Sequence, residues 1–200
     1  MLFRSLERNL VGPDNKLIWK AKIPLKIKIF MWQLFQDAVL TRNNMRKRKW
    51  TGCPKCSFCE NVETTLHMSF SCATAKVVWG VLGACVGTDT CPKNIWQSIV
   101  WFHRFLPGGE KNYMVLLAAI CWSIWIVRNK ITFDAYVMRS PEVIVYTMAS
   151  FLVYWAGMDN EAGAGRLKEG ANKLMKMTAD LTRRTRREDG RGGILMIDGA

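Results

Sequence analysis

The chain has 200 residues, half of them are hydrophobic, and its mean hydropathy is close to zero. That much apolar material is enough to bury a core, so the composition excludes a wholly disordered chain and predicts one or two folded domains. The 29 Lys and Arg residues exceed the 16 Asp and Glu residues by 13. This excess predicts a polyanionic partner, with nucleic acid favoured over an anionic membrane surface.

The cysteine content indicates a reducing compartment. There are 7 cysteines, an odd number, and the N-terminal segment MLFRSLERNLVGPDNK lacks the apolar core of a signal peptide. We therefore expect an intracellular protein, nuclear or cytoplasmic. In such a compartment closely spaced cysteines are more often metal ligands than disulfides.

The first half of the chain shows helical periodicity. Pro24 begins an amphipathic segment that extends to Asp37, and its apolar residues recur at helical spacing. Thr41 is the expected N-cap of a short helix through RNNMRKRKW. That segment contains five basic residues and no acidic residue: Arg42, Arg46, Lys47, Arg48 and Lys49.

Further helices are predicted at 73–87, closed by Gly87, at 88–105, at 111–133 and at 140–157 with Ser140 as the N-cap. The Pro-Gly-Gly turn at 107–109 is the best candidate for a domain boundary. The stretches 113–127 and 143–158 are apolar, but each is shorter than the roughly 20 residues of a membrane span. We expect them to be buried core helices, and we expect a basic surface helix after residue 160.

The most informative segment is GCPKCSFCENVETTLHMSFSC. Cys56 and Cys59 form a C-x2-C pair, and His67 and Cys72 follow with a spacing of four intervening residues. Three thiolates and one imidazole match the four ligands of tetrahedral zinc. Four protein ligands leave no coordination position for a reactive water, so such a zinc ion would be structural.

Two alternatives remain open from spacing alone. Cys53 and Cys56 form an equally good C-x2-C pair. The cysteines can also be small hydrophobic residues without a metal, which is the role that we expect for Cys85, Cys91 and Cys121.

At these residues the chain resembles the zinc-binding domain found downstream of the reverse transcriptase in plant non-LTR (LINE-type) retrotransposons. The resemblance rests on IWKAKIPLKIKIFMWQL, on RNNMRKRKW, on CSFCENVETTLHMSFSC and on ATAKVVW, and it covers residues 18–79. It implies that the ligands are Cys56, Cys59, His67 and Cys72, and that Cys53 is not required. The sequence contains neither a YADD polymerase box nor a convincing carboxylate set for a ribonuclease H, so we expect a fragment or a domesticated copy without catalytic activity.

The expected fold is mostly α-helical, with a small Cys3His zinc knuckle embedded between helices and a C-terminal set of apolar helices. We divide the chain into an N-terminal extension (1–17), a zinc-binding module (18–90), an apolar helical region (91–158), and a basic amphipathic helix with a disordered tail (159–200).

The functional prediction is a non-enzymatic module whose cofactor is structural Zn²⁺ and which contacts RNA or single-stranded DNA through the basic residues at 42–49. The alternative is a structural or protein-interaction domain without nucleic-acid binding, and a membrane partner is not expected. Of the tryptophans, Trp32 and Trp79 are expected to pack in the core. Trp50, which follows the basic run, is equally suited to packing and to stacking on a base.

Overall fold

The computed structural model describes residues 16–106 and 109–194. These residues form eight α-helices and one π-helical turn, and no β-strand occurs among them. The prediction of a mostly α-helical chain is therefore confirmed. The elements in chain order are α1 (Lys16–Lys20), α2 (Leu25–Phe35), α3 (Arg42–Lys47), the π-helical turn (His67–Ser71), α4 (Ala73–Val86), α5 (Ile95–Phe105), α6 (Gly109–Phe133), α7 (Glu142–Ala156) and α8 (Glu161–Ile194).

Local signals determine several of the helix ends. The Thr41 hydroxyl accepts a hydrogen bond from Asn44 N at 3.3 Å and caps α3 as expected. Gly87 ends α4 in the left-handed conformation with φ of 76°, which a glycine adopts without strain. The helix predicted at 88–105 begins only at Ile95, because Asn94 is its N-cap and its side-chain oxygen accepts from Gln97 N at 2.9 Å. Helix α7 is capped at Pro141, not at Ser140.

Helix α6 lies at the centre of the fold. It packs against α2, α5, α7 and the π-helical turn. Leu117, Ile120 and Ile124 on this helix are completely buried. On the side of α2, the Phe30 ring meets the Trp122 ring with centroids 5.0 Å apart. The central position of α6 joins the cysteine-containing half of the chain to the C-terminal helices.

Within the described residues, the segment Asn112–Phe133 of α6 is the one helix long and apolar enough to cross a membrane. Its most apolar window is 61% buried inside the protein. Length and composition alone do not distinguish a membrane-spanning helix from a core helix. Extensive burial inside the protein is typical of a core helix. The predictions that 113–127 and 143–158 are buried helices agree with the packing of α6 and α7.

Helix α8 covers one side of this core and packs against α7 and α4. On its apolar face Leu167 and Leu174 are buried, whereas Met177 and Leu181 are half-buried. The helix extends to Ile194, and the last predicted tail residues, 195–200, lie outside the described part of the chain. So do Pro107 and Gly108 of the predicted turn and residues 1–15 of the predicted extension.

One contiguous apolar core runs through the described residues. It contains Ile18 of α1, Trp79 of α4, Phe102 of α5 and Leu174 of α8. Residues on both sides of the predicted boundaries at 90 and 158 therefore contribute to the same core.

The packing role predicted for the two tryptophans holds for only one of them. Trp79 is completely buried and stacks on Phe70 with ring centroids 5.6 Å apart. Trp32 is 40% exposed, so its prediction was wrong. On α2 the neighbouring Met31 faces the core, and one residue along a helix turns the next side chain by about 100°.

Candidate metal centre

A short hairpin holds the C-x2-C pair. Lys55 and Val62 form an isolated antiparallel bridge, and Cys56 N donates a hydrogen bond to Asn61 O at 2.7 Å. Phe58 N also points at the Cys56 sulfur, 3.4 Å away. Backbone N–H groups directed at a sulfur favour its thiolate form, which is the form that binds a metal.

The π-helical turn brings the other two candidate ligands together. Cys72 N donates to His67 O at 2.8 Å, which is the bond from residue i+5 to residue i that defines a π-helix. His67 N in turn donates to the Thr64 hydroxyl at 3.0 Å. The spacing of four residues between His67 and Cys72 corresponds to one turn of this wider helix.

The four side chains converge on one point. The sulfur atoms of Cys56, Cys59 and Cys72 and a ring nitrogen of His67 all lie within 4.8 Å of one another. The individual separations are 4.0 Å between Cys56 and Cys72, 3.9 Å between Cys72 and Cys59, and 3.2 Å between Cys59 Sγ and His67 Nε2. Zinc–sulfur bonds of 2.3 Å in a tetrahedron place two sulfurs about 3.8 Å apart, so the group fits a Cys3His zinc site.

Cys53 lies outside this group. Its side chain is exposed, whereas Cys56 and Cys72 are buried and Cys59 is half-buried. The two C-x2-C pairs that spacing alone could not separate are thus distinguished by burial and by convergence. Cys85 and Cys121 lie outside this segment of the sequence and are buried, as expected for small hydrophobic residues.

The close approach of Cys56 and Cys72 makes the two thiols unequal. Their hydrogen bond lowers the pKa of Cys72 and raises the pKa of Cys56, because one proton shared between them stabilises a single thiolate. A divalent cation would take the place of that proton and hold every sulfur of the group as a thiolate.

Glu63 connects this knuckle to two other parts of the fold. Its carboxylate accepts from Arg42 N at 2.9 Å, and its carbonyl accepts from Asn43 N at 3.1 Å, both at the start of α3. The same carboxylate binds Arg128 of α6, with Nε at 3.1 Å from each oxygen. Both side chains of this ion pair are almost completely buried, at 0% and 1% exposure.

Sequence reasoning did not identify Glu63 or Arg128. A signal was present, since an arginine in a long apolar helix is rarely buried without a carboxylate partner. The sequence did not reveal which carboxylate that would be, because the two residues are 65 positions apart.

The five predicted nucleic-acid-binding residues have two different environments. Arg42 is half-buried, and its guanidinium donates to Lys55 O at 2.7 Å, which ties α3 to the hairpin. The other four residues are exposed and consecutive, and we call them the basic segment: Arg46, Lys47, Arg48 and Lys49. Trp50 follows them, is 41% exposed, and its ring covers Gly52 so closely that a Cβ atom there would collide with it.

Comparison with known proteins agrees with this site. Residues 2–79 match the model of a family described as zinc-binding in reverse transcriptase. A putative ribonuclease H protein of Arabidopsis thaliana is 29% identical over 63 residues, which are 31% of this chain and span about 10% of that much longer protein. No solved structure matches the chain. The resemblance seen in the sequence is confirmed at this level: residues 2–79 are similar to the zinc-binding domain of reverse transcriptases, and zinc is the metal that the Cys3His group can hold.

Proposed function

We propose that this chain binds RNA or single-stranded DNA through the basic segment, and that a structural zinc ion fixes the hairpin beside it. The observation that carries this proposal is the run of four exposed cations at residues 46–49. Among the described residues, Lys47 alone of these four has an acidic salt-bridge partner, Asp37 at 3.3 Å, and both side chains are more than half exposed. Such a surface pair is weak and leaves the positive charge available to phosphates.

The zinc ion would act on this surface through Glu63. The metal holds the hairpin and the π-helical turn together, and Glu63 lies between those two elements. Its contacts with Arg42 N and Asn43 N fix the start of α3, and the basic segment begins in the last turn of that helix. The metal thereby positions the cations without touching them.

We propose no catalytic role for this part of the chain. Four protein ligands would complete the zinc coordination sphere and exclude the bound water that a hydrolytic zinc enzyme needs. The relative named as a ribonuclease H is matched over about 10% of its length, so its activity is not transferred to this chain.

The origin of the domain is also a proposal. The family description and the relative from Arabidopsis thaliana support descent from a plant retroelement of the non-LTR type. An element of that kind keeps its RNA template near its polymerase, inside the cell, which fits a nuclear or cytoplasmic protein with a nucleic-acid partner. Exposed Arg183, Arg184 and Arg187 on α8 are consistent with an import signal or a second nucleic-acid contact.

A specific surface supports the protein-interaction alternative. Leu25, Ile29 and Trp32 lie one turn apart on the outer face of α2 and are 65%, 43% and 40% exposed. Neighbouring exposed apolar side chains on one helix face are typical of docking sites. In this alternative the zinc module holds α2 in place for a protein partner, and the basic segment is inert.

Fluorescence anisotropy with labelled single-stranded RNA and DNA oligonucleotides tests the proposal. The zinc-loaded full chain is titrated at low salt and at near-physiological salt, beside a variant with Gln at all four positions of the basic segment. We expect the affinity of the wild type to fall as salt rises. In a plot of log affinity against log salt concentration, the slope of the variant should be less steep than that of the wild type by about 0.7 for each phosphate contact that it has lost.

The control variant carries Lys168→Gln and Lys176→Gln, two exposed positions on α8. It removes charge from the opposite end of the chain and should bind like the wild type. Absence of binding by the wild type at low salt would refute the proposal. Equal losses per removed charge in both variants would mean that net charge, and not the basic segment, governs binding.

A further inference from the structure

A cleft lies between α5 and the loop that precedes it, outside the zinc-binding segment. Its volume is about 480 Å³. Trp96, Trp101 and Phe105 of α5 line it with aromatic surface, and Cys91 of the loop lies opposite. Clefts of roughly 300–1,000 Å³ hold small organic ligands, so this one has room for a nucleobase with its sugar.

The walls of the cleft are fixed before any ligand enters. The Trp101 indole donates a hydrogen bond to Thr90 O at 2.7 Å, which holds the loop against the helix. The Trp101 and Phe105 rings contact each other with centroids 5.5 Å apart. Trp96, by contrast, is 40% exposed at the rim and offers an indole face to an incoming group.

The polar groups of the cleft suit a base attached to a phosphate. Gln97 has a carboxamide that can bond the edge of a base, and its oxygen already accepts from Lys93 N at 2.8 Å. Arg104 adds a permanent positive charge, and no Asp or Glu occurs among the described residues that line the cleft. The walls of the cleft therefore do not favour a cationic ligand.

The cleft and the basic segment flank the same end of α2. The Trp96 ring contacts the ring of Phe35, the last residue of α2, with centroids 6.4 Å apart. Two residues further on, Asp37 binds Lys47 of the basic segment at 3.3 Å. Because both contacts lie at the C-terminal end of α2 and the loop that follows it, we expect one strand of nucleic acid to be able to contact both features.

We propose that this cleft binds one unpaired base of a single-stranded nucleic acid whose phosphates lie on the basic segment. This inference rests on the proposed function and adds a base-binding site to its phosphate contacts. The base stacks on Trp96, Gln97 bonds its edge, and Arg104 faces the adjoining phosphate. A base in a duplex is already paired and stacked, so it must first be flipped out, whereas a single strand presents it freely.

The experiment compares single-stranded and duplex oligonucleotides of one sequence on the zinc-loaded full chain. Trp96→Ala removes the stacking face, and Tyr154→Ala, at a 69% exposed aromatic residue of α7, is the matched control. We expect Trp96→Ala to weaken single-strand binding about fivefold to a hundredfold, with an unchanged salt slope and unchanged duplex binding. Tyr154→Ala should leave both affinities as they are.

A second measurement needs no substitution. Cys91 lines the cleft and is half-buried, so its alkylation by N-ethylmaleimide can be followed by mass spectrometry. A single strand should slow the alkylation of Cys91, and the duplex should not. This readout also covers the case in which Trp96→Ala fails to fold.

The outcomes separate the two proposals. If the wild type binds single strands through the basic segment but Trp96→Ala binds equally well and Cys91 is not protected, the cleft proposal is wrong and the proposed function stands. Equal protection of Cys91 by single strand and duplex also refutes it. If the wild type binds neither nucleic acid, the proposed function fails, and the cleft proposal fails with it.

Discussion

Glu63 and Arg128 form a buried ion pair between the zinc knuckle and the central helix α6. Arg128 uses Nε and a terminal nitrogen to hold the carboxylate, with the shortest contact at 2.5 Å. The guanidinium also lies over the Trp125 ring, 5.0 Å from its centroid. Since the same carboxylate accepts from Arg42 N, one side chain joins the hairpin, α3 and α6. Through this contact we expect the zinc site and the C-terminal helices to fold as one unit.

Breaking this ion pair should destabilise the whole chain. Removal of one partner leaves a buried charge unpaired, so Glu63→Gln or Arg128→Met should lower the free energy of unfolding by about 3–5 kcal/mol. The double variant should lose clearly less than the sum of the two, because neither charge is then stranded. Urea denaturation followed by circular dichroism measures all three.

The control for that prediction is Glu60→Gln, which removes the exposed hairpin ion pair between Glu60 and Lys55. Only a small loss of stability is expected there, because both side chains of that pair are exposed to solvent. Equal effects at Glu60 and Glu63 would show that burial of the Glu63–Arg128 pair is energetically unimportant.

Zinc content should depend on Cys72 and not on Cys53. Elemental analysis of the wild type should give one zinc per chain, whereas Cys72→Ser should lose most of it, together with part of the helical signal, because metal binding supplies folding energy. Cys53→Ser should keep its zinc, since that side chain is exposed and outside the ligand group. Loss of zinc from Cys53→Ser with retention in Cys72→Ser would reverse the ligand assignment.

Zinc affinity should fall as the pH falls. The metal holds three thiolates, and the hydrogen bond with Cys72 raises the pKa of Cys56, so the Cys56 thiol must lose a proton when zinc binds. The same contact lowers the pKa of Cys72 to about 5, so Cys72 contributes little to the pH dependence above that value. Below its pKa, a thiol that binds zinc costs about a factor of ten in affinity per pH unit. Competition with a zinc chelator between about pH 6 and pH 8 gives the slope. An affinity independent of pH would exclude the thiols as ligands.

Two glycines of α4 should respond oppositely to alanine. A Cβ atom at Gly83 would lie 2.6 Å from the backbone oxygen of Thr88, so Gly83→Ala must displace the turn that ends the helix and should lower the melting temperature. Gly80 is exposed and has open space, and Gly80→Ala should raise stability by up to about 1 kcal/mol through helix propensity. Thermal unfolding of the two variants checks this contrast, and equal melting temperatures would contradict it.

Much of the local structure could be predicted from short-range signals. The cap at Thr41, the stop at Gly87 and the approximate position of α2 follow from residues within a few positions of each other. The convergence of His67 and Cys72 has the same origin, since it needs only one helical turn between them. The late start of α5 was missed because Asn94 was not recognised as its N-cap.

The sequence itself thus determined the Cys and His types of the candidate zinc site and the helical class, because ligand chemistry and helix periodicity act over a few residues, whereas the fold placed Cys53 outside the group. The tertiary structure alone decided three other features: that Glu63 meets Arg128, that Trp32 faces outward while Trp79 is buried, and that Trp96 lies beside the end of α2. These depend on contacts between residues far apart in the chain. Periodicity shows that a helix has an apolar face, but the packing of several helices determines which partner that face meets.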